Sequence, residues 1–183
     1  MRSVSRQWFV KEALLRHRAI CSIFIAHLAP TAMTSFTYAF AAHDLVAVLG
    51  GPRVVREPVA TYMDLMDLAA EGLPREALTA VASAASPNAA AALYVRRQIV
   101  PDATWKRRTT TLKADESDRT LRLARIVALT RFVWHNDADA STAFLNAPHN
   151  LLNGRTPLDC AITDAGAQAV EAVLMRLLHG VAA

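Results

Sequence analysis

A chain of 183 residues is long enough for one ordinary domain or two small ones. Apolar residues make up 53% of it and aromatic residues 7%; much of the apolar share is alanine, which favours helices over sheet and argues against an all-β fold. The formal net charge of +4 invites a nucleic-acid reading, but residues 1–32 carry five basic residues and one acid, so the remainder is neutral. Only a local cluster of cations can support such a reading, because a high whole-chain isoelectric point says nothing about where the charge lies.

Residues 1–32 differ from the rest. A basic beginning leads into an apolar run at 19–29, broken by Ser22 and His27. That run is well short of the roughly 20 apolar residues of a membrane span, and the A-x-A pattern at 39–41 lies too far downstream to be a signal cleavage site. We expect a natural start at Met33 or a loosely ordered extension, with an additional helix as the alternative. No membrane partner is expected. Cys21 and Cys160 fit no metal or redox spacing and read as incidental thiols of a reducing, cytoplasmic compartment.

After Met33 the first helical piece spans 43–49 and is stopped by Gly50-Gly51-Pro52. A second helix is predicted from 58 or 59 to 71, with Val59, Met63, Met66 and Leu65 inward and the methionines as core filler; Gly72 ends it. Pro74 suits the first turn of a third helix through residue 85, carrying Leu78 and Val81 inward. Ser86-Pro87-Asn88 interrupts, a fourth helix runs over 89–98, and Pro101-Asp102 opens a fifth, ATWKRRTTTLK.

Two short helices, a tight break and a further helix that begins with polar and basic residues are the parts of a helix-turn-helix in their usual order. Arg96, Arg97, Lys106, Arg107, Arg108 and Lys113 against Asp102 leave a strongly positive segment over residues 96–113. Arg96, Arg97, Thr104, Lys106, Arg107 and Arg108 are the candidate DNA-binding residues. A solvated basic face is the alternative on composition alone.

The longest helix is predicted over 115–134. Asp115 with Arg119 and Asp118 with Arg122 are spaced i, i+4, worth about 0.2–0.5 kcal/mol each. Leu123, Ile126, Val127, Val133 and Trp134 supply a buried face that outweighs them at roughly 1.5–3 kcal/mol per large side chain. Arg122 and Arg125 read as a structural or solvated row, an inter-subunit contact being the alternative.

Residues 137–180 read as three short amphipathic helices. Asp137 and Asp139 are helix-start charges. Asn153-Gly154 is a tight turn, and Thr156, Pro157 and Asp159 mark a short helix with proline at its first position. Thr163 caps the last helix and Gly180 closes it. Between them Val170, Val173, Leu174, Leu177 and Leu178 form one face. That stripe is too wide for so small a domain to bury entirely, and part of it is expected at an interface.

The order of landmarks in this last stretch resembles the toxin-binding domain of the MbcA/ParS/Xre antitoxins. Those landmarks are Phe144-Leu145, Pro148, 151–156, Pro157-Leu158-Asp159, Thr163, Gly166-Ala167, Val170, Leu174 and His179-Gly180. Upstream, Gly72-Leu73-Pro74, the run 104–108, the run 116–119 and the run 122–125 resemble the Xre-type domain that precedes it in the same family. The likeness covers about residues 45–180. It implies an all-α fold: an Xre-like helix-turn-helix domain at 33–124, followed by a toxin-binding domain at 125–183. It also implies a cognate RES-domain toxin that consumes NAD as partner, and repression of its own operon through operator DNA. Arg155, Leu174, Arg176, Leu178, His179 and Gly180 are the candidate toxin-binding residues.

Catalytic chemistry finds little support. The six histidines have no metal-ligand spacing, no phosphate-cradling glycine loop is present, and Ser141 lacks a nucleophile-elbow context. We expect a binder with no cofactor and no catalytic role, self-associating as a homodimer to match a pseudo-palindromic operator. The rivals are a stand-alone helix-turn-helix transcriptional regulator whose last domain dimerises, and a helical adaptor whose basic helix faces another protein.

Overall fold

Thr61 sets the start of the second helix. Its hydroxyl accepts from the Asp64 backbone N–H at 3.2 Å while the Asp64 carboxylate accepts from the Thr61 N–H at 2.8 Å, a reciprocal cap. The backbone N–H of Thr61, then that of Ala60, holds the Asp64 carboxyl below its ordinary pKa. The helix therefore begins at Tyr62, later than the pattern suggested, and Leu65 and Ala69 turn inward. Met63 and Met66, expected in the core, stand 57% and 45% exposed, because they lie about 160° and about 100° round the helix from Leu65.

A computed structural model describes residues 42–56 and 58–180; the expected extension at 1–32 lies outside them. The described helices are α1 (Ala42–Val48), α2 (Tyr62–Glu71), α3 (Arg75–Ala85), α4 (Ala89–Ile99), α5 (Asp102–Trp105), α6 (Ala114–Val133), α7 (Ala138–Asn146), a 3₁₀ turn (Asn150–Leu152), α8 (Pro157–Ala161) and α9 (Asp164–Leu178). No strand occurs among the described residues; an isolated antiparallel bridge joins Pro74 and Thr111. The fold is all-α, as the composition implied. None of these helices is long and apolar enough to cross a membrane.

Helix α6 is the axis, and α2, α3 and α9 pack along it. Leu121, Leu123, Ile126, Val127, Leu129 and Val133 are all buried, which at roughly 1.5–3 kcal/mol each outweighs its surface ion pairs. Its buried hydroxyls are satisfied locally: Thr120 and Thr130 donate to the carbonyls of Glu116 and Ile126, each at 2.8 Å. Ser117 accepts from the Leu73 N–H at 2.9 Å. The division expected at 124/125 falls inside this helix, so both halves of the chain share one core element.

At its far end Trp134 stacks on Phe144 of α7 with centroids 4.6 Å apart. The Asn146 amide donates to the Ala85 carbonyl at 2.9 Å, fastening α7 to the end of α3. Both i, i+4 pairs on α6 form, Arg119 with Asp115 at 3.0 Å and Arg122 with Asp118 at 2.6 Å.

Candidate functional site

The basic region is built from the end of α4 to the start of α6. Asn88 caps α4, accepting from the Ala91 N–H at 2.9 Å. Of the six cations counted in the sequence, Arg96 is buried and Arg108 half-buried. Arg96 is 6% exposed. Its guanidinium donates to the Val100 carbonyl at 2.9 Å and to the Asp102 carboxylate, and lies 5.0 Å from the Trp105 ring centroid. Arg96 thus closes α4 onto α5, its guanidinium turned to partners inside the fold.

Arg108 donates through Nε and Nη2 to the two oxygens of Glu116, at 3.0 and 2.9 Å. The Glu116 side chain is 8% exposed, and its carboxyl is held below the ordinary range by Arg108 first and also by the Lys113 N–H. Arg97, Lys106 and Arg107 are exposed, and Thr104 is half-buried. Arg97 also pairs with Asp102 at 2.9 Å. The Asp102 carboxyl is lowered by Arg96, then by Arg97.

The fifth helix is a single turn, where the sequence pattern predicted eleven residues. The run Thr109-Thr110-Thr111 is β-branched and resists helix, and an extended path offers it partners. Arg75 N–H donates to the Thr110 carbonyl at 3.0 Å and Leu112 N–H to the Leu73 carbonyl at 2.9 Å. Arg75 Nη1 donates to the Arg108 carbonyl at 2.6 Å, and its guanidinium lies 4.1 Å from the Trp105 centroid. Gly72, with φ of 118°, allows this approach, since a β-carbon there would stand 2.6 Å from the Leu112 carbonyl oxygen.

The C-terminal stretch forms as predicted: Asp137 caps α7, Thr156 caps α8 and Thr163 caps α9. Asn153 and Gly154 both take positive φ. Along α9, Val170, Val173 and Leu174 are buried, while Leu177 and Leu178 are half-buried against the core. Leu174, a candidate contact, is fully enclosed because that face of α9 packs on α6 and α8; it supports the helix from inside. Arg155, Arg176, His179 and Gly180 are exposed. The open end of the stripe is therefore Leu177 and Leu178, bordered by Arg176 and His179.

Arg122 and Arg125 are structural. Arg125 Nε meets the Glu171 carboxylate at 2.7 Å and its Nη1 reaches the Tyr62 hydroxyl at 3.3 Å, while Arg122 adds Asp164 at 3.4 Å to its Asp118 partner. These ties hold α9 and α2 to α6. Sequence spacing could not show them, since Arg125 and Glu171 are 46 positions apart.

This geometry has a counterpart among known proteins. Residues 129–180 match the antitoxin Xre/MbcA/ParS C-terminal toxin-binding domain, a segment that takes in the end of α6 and everything after it. The chain is also similar to "Antitoxin Xre" of Pseudomonas putida, 34% identical over 88 residues, covering 46% of this chain and 55% of that protein. It thus spans about half the length of that curated relative. The described residues form an all-α fold, and their C-terminal part is similar to an antitoxin-type toxin-binding domain. The likeness on the family side is confined to residues 129–180.

Proposed function

We propose that this protein is the antitoxin of a type II toxin–antitoxin pair. Its C-terminal domain binds and neutralises a RES-type toxin that consumes NAD, and its N-terminal half represses its own operon by binding operator DNA as a homodimer. The observation that carries the reading is the match of residues 129–180 to a toxin-binding domain. Support on the toxin side comes from the half-buried Leu177 and Leu178 beside exposed Arg176, an apolar edge with a polar rim of the kind partners cover. Support on the DNA side comes from Arg97, Lys106 and Arg107, which stand exposed close together in the chain and suit a phosphate backbone.

Co-expression of the full chain with the gene product encoded beside it tests the reading. Cells should grow and keep their NAD when both are made, and should lose both when the toxin is made alone. Loss of growth in the presence of both proteins would reject the antitoxin function. Protection that requires no complex between them would reject neutralisation by binding.

A further inference from the structure

Glu116 is the joint of the basic region. Its carboxylate, almost wholly buried, receives Arg108 Nε, Arg108 Nη2 and the Lys113 backbone N–H at 3.0, 2.9 and 2.8 Å. Both ends of the segment between Arg108 and Lys113 are thereby fixed to the first turn of α6. Its middle is fixed to the start of α3 by the Arg75–Thr110 and Leu112–Leu73 backbone bonds. Lys106 and Arg107 sit immediately before this clamp and are exposed.

Freeing Arg108 to meet a phosphate would leave a buried carboxylate without its partner, an arrangement that proteins avoid. A bidentate arginine–carboxylate pair also has a fixed planar geometry and holds the backbone that carries it.

We propose that Glu116 and Arg108 are positioning residues for DNA binding: their pair shapes the 106–113 segment so that Lys106 and Arg107 meet the phosphate backbone, while Arg108 itself touches no phosphate. This rests on the reading that the basic region binds duplex DNA. Its consequence is a division of labour among adjacent cations that look alike in the sequence. Lys106 and Arg107 contribute to counterion release; Arg108 contributes to shape.

The test uses the full chain and a fluorescent duplex carrying the sequence upstream of its own gene, with affinity measured across a range of salt. Arg107→Gln should flatten the dependence of log K on log salt by about 0.9, one lost phosphate contact. Arg108→Gln and Glu116→Gln should weaken binding about tenfold, the equivalent of one charge-assisted hydrogen bond, with the slope of the unaltered protein. The exchange Arg108→Glu with Glu116→Arg should restore most of the affinity. A slope for Arg108→Gln reduced as in Arg107→Gln would overturn the proposal, and that single variant decides it even if those at Glu116 fail to fold. Failure of a folded exchange variant to recover affinity would overturn it too. If the unaltered protein binds no duplex at any salt, the DNA reading itself falls, an outcome distinct from a slope change among the variants.

Discussion

Gly166 lies directly against the carbonyl of Cys160: a β-carbon built at Gly166 would stand 2.1 Å from that oxygen. The obstacle is backbone and cannot rotate away, so the junction between α8 and α9 requires glycine for space, at a position with no positive φ. Gly166→Ala should push α9 off α8 and destabilise the fold by about 1–3 kcal/mol, the usual range for overpacking a tight site. The midpoint of urea unfolding, followed by circular dichroism, measures it; an unchanged midpoint would mean the junction relaxes freely.

Leu174 and Leu178 are one helical turn apart and should respond differently. Leu174 is completely buried, so Leu174→Ala should cost about 2–5 kcal/mol of stability. Leu178 is half-buried, and Leu178→Ala should leave most of the stability intact while weakening the toxin complex. Thermal unfolding of each variant alone, beside toxin binding by each, separates a support from a contact.

His149 gives the fold a pH dependence. Burial pushes its imidazole below the ordinary value, and its Nδ1 accepts from the Leu151 N–H at 3.3 Å, which needs the neutral ring. The unfolded chain takes up a proton near pH 6.5 while the folded chain resists it. The stabilisation is therefore fully present above that pH and is lost as pH falls below it. Melting temperature should drop between neutral and mildly acidic pH, and His149→Asn, with an oxygen able to replace Nδ1 as acceptor, should flatten that drop.

Glu116 adds a second step at lower pH. Its carboxyl is held down by Arg108, so its contribution is present above the ordinary glutamate value of about 4.3 and disappears as pH falls through the depressed folded value. The Glu116→Gln variant should lack this acid step and retain the one at His149.

Most helix boundaries were legible because they are written locally. Asn88, Asp137, Thr156 and Thr163 cap the helices they precede, and the i, i+4 pairs on α6 form where spacing put them. At the fifth helix a non-local partner outweighs the local pattern. The fifth helix stops at Trp105 because residues 110–112 find hydrogen bonds in 73–75, more than thirty positions back along the chain. Arg96 and Arg108 pair with Asp102 and Glu116 at separations of six and eight positions, which no regular helical spacing marks in the sequence. The methionines at 63 and 66 lie off the face that Leu65 and Ala69 turn inward, a choice of face that apolar character alone does not make. An apolar stripe alone cannot say whether Leu174 is covered by its own chain or by a partner, and packing on α6 and α8 covers it here.

The most direct measurement of the central claim is the affinity of the full chain for the toxin encoded beside it, taken by calorimetry for the unaltered protein and for Leu178→Asp. The unaltered protein should form a tight complex that Leu178→Asp weakens by at least about 2 kcal/mol, as for an anchor in a desolvated pocket, with the helical circular dichroism retained. Absence of a complex with the unaltered protein, or full affinity in a folded Leu178→Asp variant, would contradict it.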